Sequence, residues 1–414
     1  MAIIKQDKCI ITGINKEGCG TSFVENNIIE IPYTIPQDEI LFDQHKYRSQ
    51  SNYVISSIIT SSADRVIPEC EYFTRCGGCS LQHLSKNIYT KFKQDLVDNI
   101  SKELNLTSQI NEVVYVGKAL RRRVIFKAIN KIDNLFLGFY QLNSHKINNI
   151  DHCSAATDEI SNLIPELKLF LRNILPLSAK ADITVLQTYN GLILKIYGTN
   201  ITDTNKYIDI LTSKHNVISI KHNDDILYQS EKPYILLDSV EVEIDEDIFL
   251  QPTIKSDEIL LNIVMNYVSK DRPYTIIDLF CGIGTYTMAL SKNNIVVGVD
   301  NNAKALNILK SSSQKAKRGV RVENRDLCLN PLSAKELNEF EVIIINPPRA
   351  GAKNQIECIT KSSSRFKIIY VSCNPQSFKV DAKILLNSGY TLQSITPIDQ
   401  FHWTQHLELI ALFE

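Results

Sequence analysis

The stretch Thr275-Ile-Ile-Asp-Leu-Phe-Cys-Gly-Ile-Gly-Thr-Tyr286 decides the fold. An apolar run of strand length leads directly into Gly282 and Gly284, and a helical sequence follows. Missing side chains let a backbone approach a ligand, and open α/β sheets bind ligands at the carboxyl ends of their strands. A Gly-x-Gly pair alone is a weak signal, because glycine turns after strands are common. Its surroundings strengthen it.

From Ser256 onward the chain alternates helix and strand. Ile276–Phe280, Ile295–Asp300, Val320–Glu323, Glu341–Ile345 and Lys367–Val371 are strand candidates separated by helical segments. Repeated βα units predict a mainly parallel, doubly wound sheet. The second strand ends in Asp300, placed to accept ribose hydroxyls, and the third is followed by Asp326, near where an adenine would lie. Turn and helix-capping chemistry is the competing reading of both acids. The fourth strand runs into Asn346-Pro-Pro-Arg349 and the fifth into Ser372-Cys-Asn-Pro375, so both deliver polar residues to the edge that carries the glycine turn.

Upstream, Cys9–Gly13, Ile28–Pro32, Glu39–Asp43 and Ser51–Thr60 read as short strands broken by glycine and proline, the pattern of a small β-barrel. A helix is predicted from Asn87 to Leu104, β-rich sequence from Val113 to Tyr140, and mixed helix and strand from 154 to about 250. The division expected is a barrel over 1–60, a central α+β domain over 61–250 and a doubly wound domain over 251–414. A chain of 414 residues exceeds what one core usually organises.

Apolar residues at 44% and charged residues at 22% place the chain among packed proteins. The opening, with Lys5, Asp7 and Lys8, breaks any apolar core that a secretory signal needs, and no apolar run reaches membrane-spanning length, so a cytoplasmic protein without a membrane partner is expected. A net charge of −1 argues against nucleic-acid binding by diffuse positive charge alone, so any RNA surface must be local. Local basic stretches are Lys118–Lys127, with Arg121, Arg122 and Arg123, and Lys315–Arg321; a solvated charged face is the commoner meaning of such runs. Ten cysteines in a reducing compartment point to metal or catalysis where they cluster. Cys70, Cys76 and Cys79 lie close together, and Cys153 is a candidate fourth thiolate for a [4Fe–4S] cluster or tetrahedral zinc. Cys9, Cys19, Cys281, Cys328 and Cys358 read as structural.

In order along the chain, Asp278-Leu-Phe-Cys-Gly-Ile-Gly284, Asn346-Pro-Pro-Arg-Ala-Gly351, Val371-Ser-Cys-Asn-Pro375 and His406-Leu-Glu-Leu409 resemble the motifs of the RNA uracil-5-methyltransferases. The resemblance implies a Rossmann-like class I methyltransferase domain, S-adenosylmethionine as methyl donor and RNA as substrate. It makes Cys373 the thiolate that adds to carbon 6 of uracil, so that carbon 5 becomes nucleophilic. It makes Glu408 the general base that removes the carbon 5 proton; by its apolar neighbours alone, Glu408 reads as an edge or solvent-facing side chain. Phe249-Leu-Gln251 resembles the family's cofactor-contacting Phe-x-Gln, and with Gln251 the resemblance assigns Phe280, Thr285, Asp300, Asp326 and Asn346 to the cofactor. This chain departs from the family's usual Asp at Asn346, Asn at Thr285 and frequent Glu at Asp300.

The clustered cysteines resemble those that hold [4Fe–4S] in the branch acting on 23S rRNA, and the first sixty residues resemble a TRAM domain, an OB-like RNA-binding barrel, through Ile29-Glu-Ile-Pro-Tyr-Thr-Ile-Pro36. Together these favour 23S rRNA over tRNA. No obligate protein partner is evident. The target base must be flipped out or lie in a loop to reach a thiol in a cleft. Two other readings are a catalytically silent RNA-binding or assembly protein and an amino-group methyltransferase, which shares Asn-Pro-Pro but needs no Cys373.

Overall fold

The computed structural model describes residues 3–47, 50–106, 109–202, 204–268 and 271–414. It divides into two compact units that interleave along the chain: residues 1–96, 139–148 and 401–405 form one, and 97–138, 149–400 and 406–414 the other. This differs from the sequential three-part division, because segments distant in sequence share cores.

In the first unit, Ile3–Ile10, Glu39–Tyr47 and Gln50–Thr60 form one antiparallel three-stranded sheet, and Gly13–Ile14, Gly20–Val24 and Asn27–Ile31 form another. Strand Gly20–Val24 lacks a sequence forecast. Ile11, Ile29, Ile31, Ile40 and Phe42 make the common core, which alternating apolar residues on paired strands produce. Further along, the carbonyl of Trp403 accepts hydrogen bonds from the N–H groups of Ser80 and Leu81, and its own N–H donates to the Tyr89 hydroxyl.

The second unit holds the predicted doubly wound sheet. Val320–Asn324, Ile295–Asp300, Thr275–Leu279, Val342–Ile345 and Lys367–Ser372 lie side by side and parallel, in that spatial order. The order reverses at Thr275–Leu279, so the glycine turn sits at the switch point where such sheets open a crevice. Glu408–Phe413 then pairs antiparallel with Lys367–Ser372, and Leu392–Asp399 pairs antiparallel with it. Two short strands, Gln109–Ile110 and Val114–Tyr115, add to the far edge.

A second sheet in this unit pairs Arg123–Asn130 with Leu135–Tyr140 on one side and Lys180–Gln187 on the other, continuing through Leu192–Tyr197, Val217–His222 and Asp225–Gln229. Its Leu186 and Ile193 pack in one cluster with Cys281, Ile283, Met288 and Leu309 of the doubly wound part. That shared core is why a cut near residue 250 does not separate two domains. No helix among the described residues is long and apolar enough to cross a membrane.

Candidate active site

Strand Thr275–Leu279 ends at Phe280, whose φ of 61° places a bulky residue in the left-handed region. Such a conformation is costly for a side chain this size and persists only where the surroundings impose it. Gly284 follows with φ 85°, a left-handed conformation that favours glycine, and a Cβ there would press on the Leu309 side chain. Gly282 is different: a Cβ there would meet nothing within 4 Å, which leaves open space beside the turn. Thr285, half-buried, begins the helix Thr285–Leu290.

Asp300 Oδ2 accepts from Gly282 N–H at 2.9 Å and Oδ1 from Asn302 N–H at 2.8 Å. Both bonds fix the carboxylate beside the glycine turn while each oxygen keeps a lone pair. Asp326 Oδ1 accepts from the N–H groups of Cys328 and Leu329, the turn chemistry weighed as its alternative. Asn346 continues the neighbouring strand and donates its N–H to the Leu279 carbonyl at 3.2 Å, which places it next to the glycine turn.

The chemical pair arises from register. Ser372 lies opposite Leu409 in the antiparallel ladder, so Cys373 and Glu408 are the next residues outward, and the Glu408 charge reaches the thiol. Glu408 is 2% exposed, and burial pushes its carboxyl up to about 8. The expectation drawn from its neighbours alone, a solvent-facing acid, is thereby replaced. Burial, then the Glu408 charge, push the Cys373 thiol up, while the Arg349 guanidinium and its hydrogen bond pull it down. Thiol, carboxyl and guanidinium therefore share one electrostatic site.

Several residues that sequence reading passed over hold it together. Gln400 Nε2 donates to Glu408 Oε2 at 2.6 Å and to Gln251 Oε1 at 3.0 Å. Buried Asp381 accepts from the Ala352 N–H at 2.7 Å and the Tyr370 hydroxyl at 2.5 Å, tying the loop after Arg349 to the strand that carries Cys373. Asn374 Nδ2 donates to the Arg349 carbonyl at 2.9 Å. None of these has a local spacing signal.

The basic run Arg121–Arg123 is no solvated face. Arg122, 2% exposed, donates from Nε to the Gln251 carbonyl at 2.9 Å and from its terminal nitrogen to Asp257 at 2.5 Å. Arg123 donates to the Ile248 carbonyl at 2.5 Å. Both clamp the Phe-x-Gln segment from below. In the other basic stretch, Arg318 pairs with Asp238 at 2.6 Å. Arg122→Ala would strand Asp257 and free the Gln251 backbone; removing one partner of a buried pair costs about 3–5 kcal/mol. Denaturant unfolding is expected to show that loss, with the salt dependence of RNA binding unchanged.

Among the described residues, no group of three or more His, Cys, Asp or Glu side chains could hold a metal ion. Of the four cysteines marked by the sequence, Cys70, Cys76 and Cys79 belong to one compact unit and Cys153 to the other. The backbone around the three is ordered by Cys76 N–H donating to the Tyr72 carbonyl at 2.8 Å and Gly77 N–H to the Tyr140 carbonyl at 2.9 Å.

A doubly wound sheet with a glycine turn at its switch point and an antiparallel closing hairpin defines a Rossmann-like methyltransferase. Residues 89–414 match the family described as tRNA (Uracil-5-)-methyltransferase, and the chain belongs to this family of RNA uracil-5-methyltransferases. It is 30% identical to an uncharacterized RNA methyltransferase of Agrobacterium fabrum over 98% of each chain. It is 27% identical to the 23S rRNA (uracil(1939)-C(5))-methyltransferase RlmD of Shewanella sediminis, over 98% of this chain and 95% of that one. The crystal structure of the Pyrococcus abyssi tRNA (uracil-54, C5)-methyltransferase in complex with S-adenosyl-L-homocysteine has the same fold, with a TM-score of 0.76, 23% identity, and coverage of 98% of this chain and 99% of that one.

Proposed function

We propose that this enzyme methylates carbon 5 of a specific uridine in 23S rRNA, with Cys373 as nucleophile and Glu408 as general base. The observation that carries the reading is the register that sets Cys373 against a deeply buried Glu408 at the ends of adjacent strands. Bound S-adenosylmethionine supplies the methyl group. The open space beside Gly282, the oriented Asp300 and the strained Phe280 support its binding at the glycine turn, with Gln251, Thr285, Asp326 and Asn346 around it.

In the reaction the Cys373 thiolate forms a bond to carbon 6, and the electron pair released to carbon 5 takes the methyl group. Glu408 then accepts the carbon 5 proton, and the bond between sulfur and carbon 6 breaks to return the thiolate. Arg349 stabilises that thiolate against the Glu408 charge. Because burial pushes Glu408 up to about 8 and the thiol above its usual range, turnover is expected to rise as pH increases from about 6 to 9. A bell centred below pH 7 would contradict this assignment of the base.

The substrate rests on the 23S rRNA enzyme of Shewanella sediminis, and tRNA is the second reading through the Pyrococcus abyssi fold. Incubation with S-adenosylmethionine and unmodified 23S rRNA or tRNA, with 5-methyluridine measured by nucleoside mass spectrometry, decides it. Product on rRNA alone supports the first reading; product on tRNA alone replaces it.

The resemblance adds an RNA grip by the N-terminal strands and a [4Fe–4S] cluster on Cys70, Cys76, Cys79 and Cys153, to which no step of the reaction is assigned. Four iron and four labile sulfide per anaerobically purified chain, lost in Cys76→Ser, would support the cluster. Metal-free protein of full activity would remove it.

A further inference from the structure

Between the Glu408 carboxyl and the Gln251 amide lies a residue that the reaction does not use. Gln400 is 4% exposed and closes the strand Leu392–Asp399, eight residues before Glu408. Its Nε2 has two hydrogens, and both are spent: one on Glu408 Oε2 at 2.6 Å, the other on Gln251 Oε1 at 3.0 Å. Two acceptors facing one terminus define the amide's orientation, since the flipped amide would set oxygen against oxygen on both sides. The opposite atom, Oε1, is buried and has no hydrogen-bond partner among the described residues. A buried acceptor left open is a cost that packing alone gives no reason to keep.

We infer that Gln400 is a positioning residue that aims the Glu408 carboxyl for removal of the carbon 5 proton and couples it to Gln251 at the cofactor side. This rests on the reading of Glu408 as the base. A hydrogen bond donated to a carboxylate favours the charged form, and the one from Gln400 opposes the burial of Glu408. Among the described residues no hydrogen bond joins Gln400 to the thiol or to Arg349, so its direct effect falls on the base and on the step after methyl transfer. Because Gln251 shares the same amide, a change in how Gln251 is held at the cofactor side reaches the base through one side chain.

The test is single-turnover kinetics on the RNA that the wild-type protein methylates, following formation of the covalent protein–RNA complex and its decay to 5-methyluridine from pH 6 to 10. In Gln400→Leu, both bonds are lost. The methylated complex is expected to form at a wild-type rate but decay about tenfold more slowly at pH 7, and the midpoint of the decay profile moves alkaline by about one unit. Gln400→Glu keeps the shape and adds a second acid beside Glu408; the like charge also moves the midpoint alkaline. This isosteric variant answers the question even where the leucine variant folds poorly. Thermal melting confirms that the material compared is folded.

Decay profiles that superimpose on wild type in folded Gln400→Glu overturn the inference. Equal slowing of complex formation and decay, with no change in midpoint, also overturns it, since a merely structural residue would behave so. A wild-type protein that forms no 5-methyluridine on any RNA overturns the reading of Glu408 as base, and the role of Gln400 with it.

Discussion

Cys373→Ala is expected to abolish 5-methyluridine formation, by more than about 10,000-fold, and to leave the protein folded. The size follows from the chemistry. Without addition at carbon 6, carbon 5 of uracil stays a poor nucleophile, and neither proton transfer nor positioning substitutes for the missing bond. The folding expectation follows from the site: Cys373 is half-buried at a strand end, outside the main cluster of Val371, Ile369 and Ile410. Removing one sulfur there opens little cavity. Denaturing gels of protein mixed with RNA should show a covalent band for the wild type and none for the variant. An intact covalent band in Cys373→Ala would move the nucleophile elsewhere.

Glu408→Gln is expected to separate the two halves of the reaction. The thiolate still adds and the methyl group still transfers, but the carbon 5 proton has no acceptor, so the methylated covalent complex accumulates and product release falls by about 100- to 10,000-fold. A second consequence concerns stability. Glu408 has a folded-state value of about 8, above that of an unfolded carboxyl. Its protonated form is therefore favoured by folding: the contribution is full below the unfolded value and is lost as pH rises through about 8. Glutamine cannot ionise. Relative to wild type, the variant should gain stability steadily from about pH 5 to 8, on the order of 3–5 kcal/mol by the top of that window. Urea unfolding across that range checks the sign. A gain that shrinks with rising pH would mean that the carboxylate, rather than the acid, is the form the fold prefers.

Parts of this architecture were legible from local pattern. The five parallel strands lie where apolar runs alternate with helical segments, and Lys86–Glu103 forms close to the helix forecast from Asn87 to Leu104. Asp300 ends the second strand where the pattern predicts it, and it lies beside the glycine turn because the strand ends meet at one edge. The arginines show the limit. Three consecutive basic residues read as a solvated run, yet Arg122 and Arg123 point into the protein, where carbonyls and an acid more than a hundred residues away receive them. The N-terminal strand Gly20–Val24 was missed because its glycine and serine dilute the alternation that marks a strand.

What the sequence by itself determined is the family, the doubly wound sheet and the glycine turn, and it marks Cys373 and Glu408 as candidates, since each is written in a run of a few neighbouring residues. What only the tertiary structure decided is the state of those groups. Glu408 becomes a raised acid because the strand register buries it opposite Cys373, and Gln400 joins it to Gln251 across 149 residues of chain. Burial and ladder register are set by packing between distant segments, and no local spacing encodes which distant residue will stand across a strand.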